Sequence, residues 1–307
     1  MEFIKAGTNL NFVGKMKIAF GASLIVLVIG ILSLLFHGGP NLGIDFAGGT
    51  LVQIKFNKPT TTTEIRNTVR EISLGNSVIQ QFGARVDNEF LIKTEKSSSE
   101  LKGLSADIKK TLTEHYGSGD FEVRRVEVVG PKVGKDLRQK GMLAMLYAVI
   151  GILIYITWRF EFRYAIGAII ALVHDVLITV GIFSLLDKEF TLPIIAALLT
   201  IIGYSLNDTI VVYDRIRENI KGIKRQSTDY VVNTSINQVL SRTLLTSLTT
   251  LLVVGALFLL GGAVIHDFAF ALLVGIIIGT YSSIFIASPT VLAWEHIWPS
   301  KSKKRKR

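Results

Sequence analysis

The chain has 307 residues, of which 49% are hydrophobic and only 19% charged, with a net charge of +10 and no cysteine. A water-soluble domain of this length carries more charge and shorter apolar runs. The absence of cysteine excludes disulfides, thiolate catalysis and cysteine metal sites, and leaves the compartment open.

Residues 18–36 form the first apolar run, preceded by Lys15 and Lys17 and closed by His37, Gly38, Gly39 and Pro40. The run is too long for the core of a cleaved signal and has no small-residue cleavage site, so it reads as a retained spanning helix. Further runs cover 141–158, 164–186, 190–212, 244–260 and 268–293. Each is near the ~20 apolar residues that cross a hydrocarbon layer about 30 Å thick.

The polar stretch between the first two runs has a different pattern. Residues 50–56 alternate as a strand, with Leu51, Gln53 and Lys55 opposite Val52, Ile54 and Phe56. Residues 61–72 read as a helix with threonines to cap it and Ile65, Val69 and Ile72 at helical spacing. Strands are expected over 77–86 and 88–94, with a turn at Asp87 and Asn88. An amphipathic helix follows over 99–115, with Leu101, Leu104, Ile108 and Leu112 on one face, and then a strand over 121–129. The order βαββαβ is that of a ferredoxin-like α+β module. The expected division is 1–36 as N-terminus and first span, 37–140 as the α+β domain, 141–298 as five further spans with a connection at 214–243, and 299–307 as a basic tail.

Charge placement predicts orientation. Arg159 and Arg163 flank one short connection, and Arg215, Arg217, Lys221, Lys224, Arg225 and Arg242 cluster around the longer one. The tail holds Lys301, Lys303, Lys304, Arg305, Lys306 and Arg307, whereas the remaining connections, 187–189 and 261–267, share one lysine. The basic side is the cytoplasmic one. Six spans then put both termini in the cytoplasm and the α+β domain outside it. That domain is nearly balanced in charge, so no nucleic-acid partner is expected. Val231, Val232, Ile236, Val239 and Leu240 repeat at near-helical spacing, which predicts an interfacial helix within the longer connection. The tail reads as a solvated anchor against anionic lipid.

Ionisable groups at bilayer depth are costly and face a protein interior. His174 and Asp175 lie in the third run, Asp208 beside Asn207 in the fourth, and Arg242 opens the fifth. Thr200, Tyr204 and Asp208 recur every fourth residue, with Gly203 and Asn207 adjacent, as one polar stripe. Arg242, Thr246, Thr249 and Thr250 form a second, and Gly275 and Gly279 make a GxxxG pair followed by Thr280, Ser282 and Ser283. Gly275, Gly279, Thr246 and Ser282 are therefore expected at helix contacts. Two readings of Asp208 and Arg242 stand together: an acid that loads and releases a proton beside a counter-charge, or polar glue between helices. For His174 and Asp175 packing and function are equally open.

Other chemistry is not supported. The glycine-rich stretch 130–136 is one residue short of a phosphate loop and has Asp136 where Ser or Thr is required, and there is no metalloprotease or serine-nucleophile motif. The GxGD pattern of intramembrane aspartyl proteases occurs only at Gly117–Asp120, in the polar domain. No cofactor is expected, and work must draw on an ion gradient or a partner.

Six segments carry a resemblance. They are GIDFAGGT at 43–50, VGPKVGKDL at 129–137, HDVLI at 174–178, GYSLNDTIVVYDRIRE at 203–218, SINQVLSRTLLT at 235–246 and GTYSSIFIA at 279–287. In this order, on this topology, the chain resembles the SecD–SecF family of bacterial protein-export membrane proteins, from about residue 8 to 298, and within it the smaller, SecF-type members. The resemblance implies an RND-type six-helix half of a twelve-helix assembly in the inner membrane, completed by a separate SecD. It implies that proton flow moves the extracytoplasmic domains, which pull exported polypeptide from the SecYEG channel. It places the family's interface carboxylate on Asp208 and its arginine on Arg242, with Asn207 beside them; Asp175 falls on a recurring position without a fixed role. The rival readings are an RND-type small-molecule/proton antiporter subunit and a passive scaffold.

Overall fold

The structure, a computed structural model, describes residues 8–72, 77–83, 87–94, 104–223 and 226–297. Residues 84–86 of the expected second strand, 99–103 of the expected second helix, Lys224, Arg225 and the basic residues at 301–307 lie outside them. The chain forms two compact units. One holds Met1–Asn41, Ala144–Lys188 and Pro193–Arg307; the other holds Leu42–Leu143 and Glu189–Leu192.

The first spanning helix, α1 (Phe12–Phe36), starts at Asn11, whose side chain accepts the Gly14 amide at 2.8 Å. The segment before it is pinned by two asparagines one turn apart on a later helix. Asn237 Oδ1 accepts the Leu10 amide and Asn233 Oδ1 the Phe12 amide, both at 2.8 Å, and both side-chain amides donate to the Leu10 carbonyl.

In the second unit a short helix, α2 (Ile44–Ala47), leads into β1 (Gly49–Phe56). Then come α3 (Thr62–Arg70), β2 (Val78–Phe82), β3 (Glu89–Thr94), α4 (Leu104–Tyr116) and β4 (Phe121–Val129). Thr61 and Glu64 close a reciprocal capping box on α3, worth about 1 kcal/mol against alanine. The antiparallel sheet has the order β2-β3-β1-β4, so each βαβ unit is split by a strand of the other, as the βαββαβ pattern predicts. Alternation puts Val52, Ile54 and Phe56 on the face that buries Ile65 and Val69 of α3 and Ile108 and Leu112 of α4. Full burial of such a side chain contributes about 1.5–3 kcal/mol.

Residues 189–192, although far along the chain, belong to this unit. The Gly43 amide donates to the Phe190 carbonyl at 3.0 Å, Asp45 accepts the Leu192 amide at 2.8 Å, and Glu189 is ion-paired with Lys93. Gly48 sits at φ +79°, and a Cβ there would lie 2.8 Å from the Pro131 Cα.

The other five crossings follow. Helix α5 (Pro131–Arg159) begins at a proline, which forfeits no helical bond in the first turn. Next are α6 (Phe162–Leu185), α7 (Leu192–Gly222) and α8 (Thr228–Leu260). The last crossing changes pitch: α9 (Gly262–Ser282) passes through a π-helical turn, Ser283–Ala287, into α10 (Ser288–Ile297). Among the described residues, six helices are thus long and apolar enough to span a membrane. Helices α1 and α6 cross closely where Gly30 faces Gly181, and Ser33 and Ser184 share a 2.8 Å hydrogen bond. The expected interfacial helix is not a separate element. Val232, Ile236 and Leu240 do lie at helical spacing, but they are buried in the bundle core as the first part of α8. The helical period was right, and the covering surface is protein rather than lipid headgroups.

Gly48→Ala combines a left-handed backbone with a steric clash, at a cost of about 2–4 kcal/mol. Gly117→Ala, at φ +91° with no atom closer than 3.9 Å, meets only the backbone term of ~1 kcal/mol. Thermal melts of the detergent-solubilised chain should show the larger drop for Gly48→Ala; equal drops would contradict this packing.

Candidate functional site

Besides Glu295, which is ion-paired with Arg163, two buried acids of the first unit lie in very different surroundings. Asp175 of α6 is fully buried. Its Oδ2 accepts the hydroxyls of Ser205 on α7 at 2.5 Å and Ser282 on α9 at 2.8 Å. Its Oδ1 lies 2.9 Å from Nδ1 of His174. The His174 ring stacks on Tyr281, whose hydroxyl donates to the Ala19 carbonyl of α1 at 2.6 Å. A carboxylate has about four lone-pair sites, and three groups converge on this one.

Asp208 is also buried, at 2% exposure, one turn beyond Ser205 on α7. Its one hydrogen-bond partner among the described residues is the Ser247 hydroxyl of α8, at 3.4 Å. Ser247 is shared: its oxygen lies 2.7 Å from the Thr280 hydroxyl of α9. Tyr204 Oη and Thr209 Oγ1 on α7 and Thr243 Oγ1 on α8 are buried with no partner among the described residues. A buried acid with one long hydrogen bond keeps most of its acceptor capacity free.

The other expected residues divide into buried and exposed sets. Asn207, next to Asp208, is exposed, as are Thr200 and Gly203, so the expected stripe of Thr200, Tyr204 and Asp208 is split between an outward and an inward face. Arg242 is exposed, sits well inside α8 instead of opening it, and makes no ion pair among the described residues, although it is within electrostatic range of Asp208. Thr246 is exposed and its hydroxyl donates to the Arg242 and Thr243 carbonyls of its own helix. Ser282 does join helices, through Asp175. Gly275 and Gly279 let α9 approach α7: a Cβ at Gly279 would lie 2.9 Å from that of Ser205, and one at Gly275 would run into Ile201.

Sequence reasoning missed Ser205 and Ser247. Neither belongs to a periodic pattern; the available signal was a hydroxyl one turn before Asp208, and another five residues after Arg242. Among the described residues no group of three or more acidic or histidine side chains could hold a metal ion.

Residues 108–296 match the family model described as protein export membrane protein SecD/SecF, C-terminal, and residues 33–60 match the SecD/SecF GG motif. The chain is 54% identical over 293 residues to the protein translocase subunit SecF of Magnetococcus marinus, covering 94% of this chain and 93% of that one. It is 43% identical over 308 residues to that of Vibrio alginolyticus, covering 99% and 96%. The crystal structure of SecDF, a translocon-associated membrane protein from Thermus thermophilus, matches with a TM-score of 0.83 and 39% identity over 94% of this chain, which spans 39% of that longer one.

Gly279→Val forces α7 and α9 apart at Ser205, an overpacking of about 1–3 kcal/mol, whereas Gly255→Val on α8 meets no atom within 4 Å. In thermal melts the first should fall clearly below the second; a Gly279→Val chain as stable as the parent would contradict the close approach.

Proposed function

The chain belongs to the SecD/SecF family of protein-export membrane proteins, and on that premise we propose that it is the SecF-type half of a proton-driven export motor. The observation that carries the reading is the contrast between the two buried acids. Asp175 is held by three groups, whereas Asp208 has one long contact, and Tyr204 and Thr209 on its own helix and Thr243 on α8 carry buried hydroxyls with no partner among the described residues. Such hydroxyls are natural stations for water at membrane depth. Asp208 takes up a proton from that side and releases it on the other, with Asn207 beside it and Arg242 as the counter-charge.

Protonation turns Asp208 from an anion that attracts donors into a neutral group that donates one hydrogen bond. The Ser247 hydroxyl then changes partners, and α7 and α8 resettle. Each proton crossing 100 mV supplies about 2.3 kcal/mol. A few protons per stroke bias a two-state equilibrium strongly.

The partner is a SecD-type chain. Asn207 on α7 and Arg242 on α8 are exposed polar residues on membrane-spanning helices. Lipid tails offer them no hydrogen bonds, and a second set of helices does. We place the chain in the inner membrane with both termini cytoplasmic, following the basic connections. The βαββαβ domain then lies outside, where it works on exported polypeptide leaving the SecYEG channel.

The test is export of a reporter precursor into inverted membrane vesicles, with and without a proton motive force. Asp208→Asn, and separately Arg242→Gln, should lower the gradient-dependent stimulation by about tenfold or more while SecD still copurifies. Undiminished stimulation in Asp208→Asn would leave a scaffold as the better account.

A further inference from the structure

Asp175 is better bonded than Asp208, and it has no step in the proton-driven motor. Its partners have a particular placement. Ser205 lies one turn before Asp208 on α7, and Ser282 lies two residues beyond Thr280 on α9. Thr280 meets Ser247, and Ser247 meets Asp208. The contacts therefore close a ring: from Asp175 to Ser205, one helical turn to Asp208, across to Ser247 on α8, on to Thr280, and along α9 through Ser282 back to Asp175.

We propose that Asp175 is a positioning residue, which fixes the register of α6, α7 and α9 and thereby holds Asp208 against Ser247, and that it carries no proton itself. The inference rests on Asp208 being the proton carrier. Three features support it. Both serine hydroxyls converge on the same oxygen, so α7 and α9 are tied to one atom of α6. A Cβ at Gly279 would lie 2.9 Å from that of Ser205, so α7 and α9 run close together there, and sliding one past the other breaks a serine bond to Asp175. The His174 side of Asp175 is braced against Tyr281, which is bonded to α1, so the carboxylate cannot swing away. The π-helical turn starts at Ser283, directly after the clamped Ser282, so Asp175 also holds the last residue of α9 before the pitch changes.

Isosteric replacement separates positioning from proton carriage. Asn keeps the shape and a carbonyl that accepts both serine hydroxyls, but it cannot load a proton. In the SecD-containing complex, Asp175→Asn should retain gradient-driven export within about threefold of the parent. Asp175→Ala and the Ser205→Ala/Ser282→Ala pair should each lose about tenfold or more, the scale of one or two buried hydrogen bonds. A loss in Asp175→Asn equal to that in Asp208→Asn would overturn the proposal, as would a fully active double serine variant; the latter decides the matter if Asp175→Ala does not assemble.

A second readout does not depend on export. The chain has no cysteine, so nitroxides can be placed through Thr200→Cys on α7 and Leu252→Cys on α8, both exposed. Their separation should be the same in the parent and Asp175→Asn, and should shift by about 1–2 Å or broaden in Asp175→Ala. An unchanged distance in Asp175→Ala overturns the clamp. Full export by Asp208→Asn with a shifted distance in Asp175→Ala would instead fault the motor reading and leave the register role of Asp175 standing.

Discussion

Hydrocarbon supplies no hydrogen bonds, so every polar atom within the bundle must find a partner in the protein or in water that the protein admits. The spanning helices meet this demand first by local means. The hydroxyls of Thr179, Thr200, Thr246, Thr249, Thr250 and Thr280 each donate to a carbonyl three or four residues earlier in their own helix. A threonine so engaged needs nothing from a neighbour. The acids cannot be served this way, because a carboxylate brings several acceptor sites and no donor. They therefore draw serines from other helices, and the packing of α6, α7, α8 and α9 is organised around those serines. Glycine at 275 and 279 completes the arrangement by letting the donors come close enough.

The same demand explains why two acids in one bundle differ so much. Donors crowd around Asp175, and removing one of them would leave a buried charge short of a partner. Asp208 is held loosely, by one hydroxyl at 3.4 Å among the described residues. Tight solvation by the protein stabilises one charge state; loose solvation lets two states exchange. The two surroundings lie one turn apart on α7, at Ser205 and at Asp208.

Much of the fold was legible in the sequence because it is written in periods. Apolar runs gave the six spans, and alternation at Val52, Ile54 and Phe56 gave the buried face of β1. The misreadings came where a period is silent about its surroundings. Val232, Ile236 and Leu240 have the spacing of any amphipathic helix, whether it lies on lipid or packs on protein. Thr200, Tyr204 and Asp208 are four residues apart, but a helix turns about 40° beyond a full circle over that interval, so the stripe drifts from one face to another. Ser205 and Ser247 are single hydroxyls with no pattern; only the folded bundle brings them to the acids. The attachment of residues 189–192 to the sheet unit is tertiary and left no local trace.

That attachment bears on how the protein is made. The sheet unit is encoded mainly by Leu42–Leu143, yet its final piece, Glu189–Leu192, follows two complete membrane crossings. Ribosomes add roughly 5–20 residues each second, so the strands exist for seconds before Phe190 can accept the Gly43 amide or Glu189 can neutralise Lys93. During that interval the unit has an unfilled seam beside Gly43 and Asp45. Insertion of α6 in the correct direction delivers the missing residues to it. A chain that threads α6 the wrong way leaves the seam open.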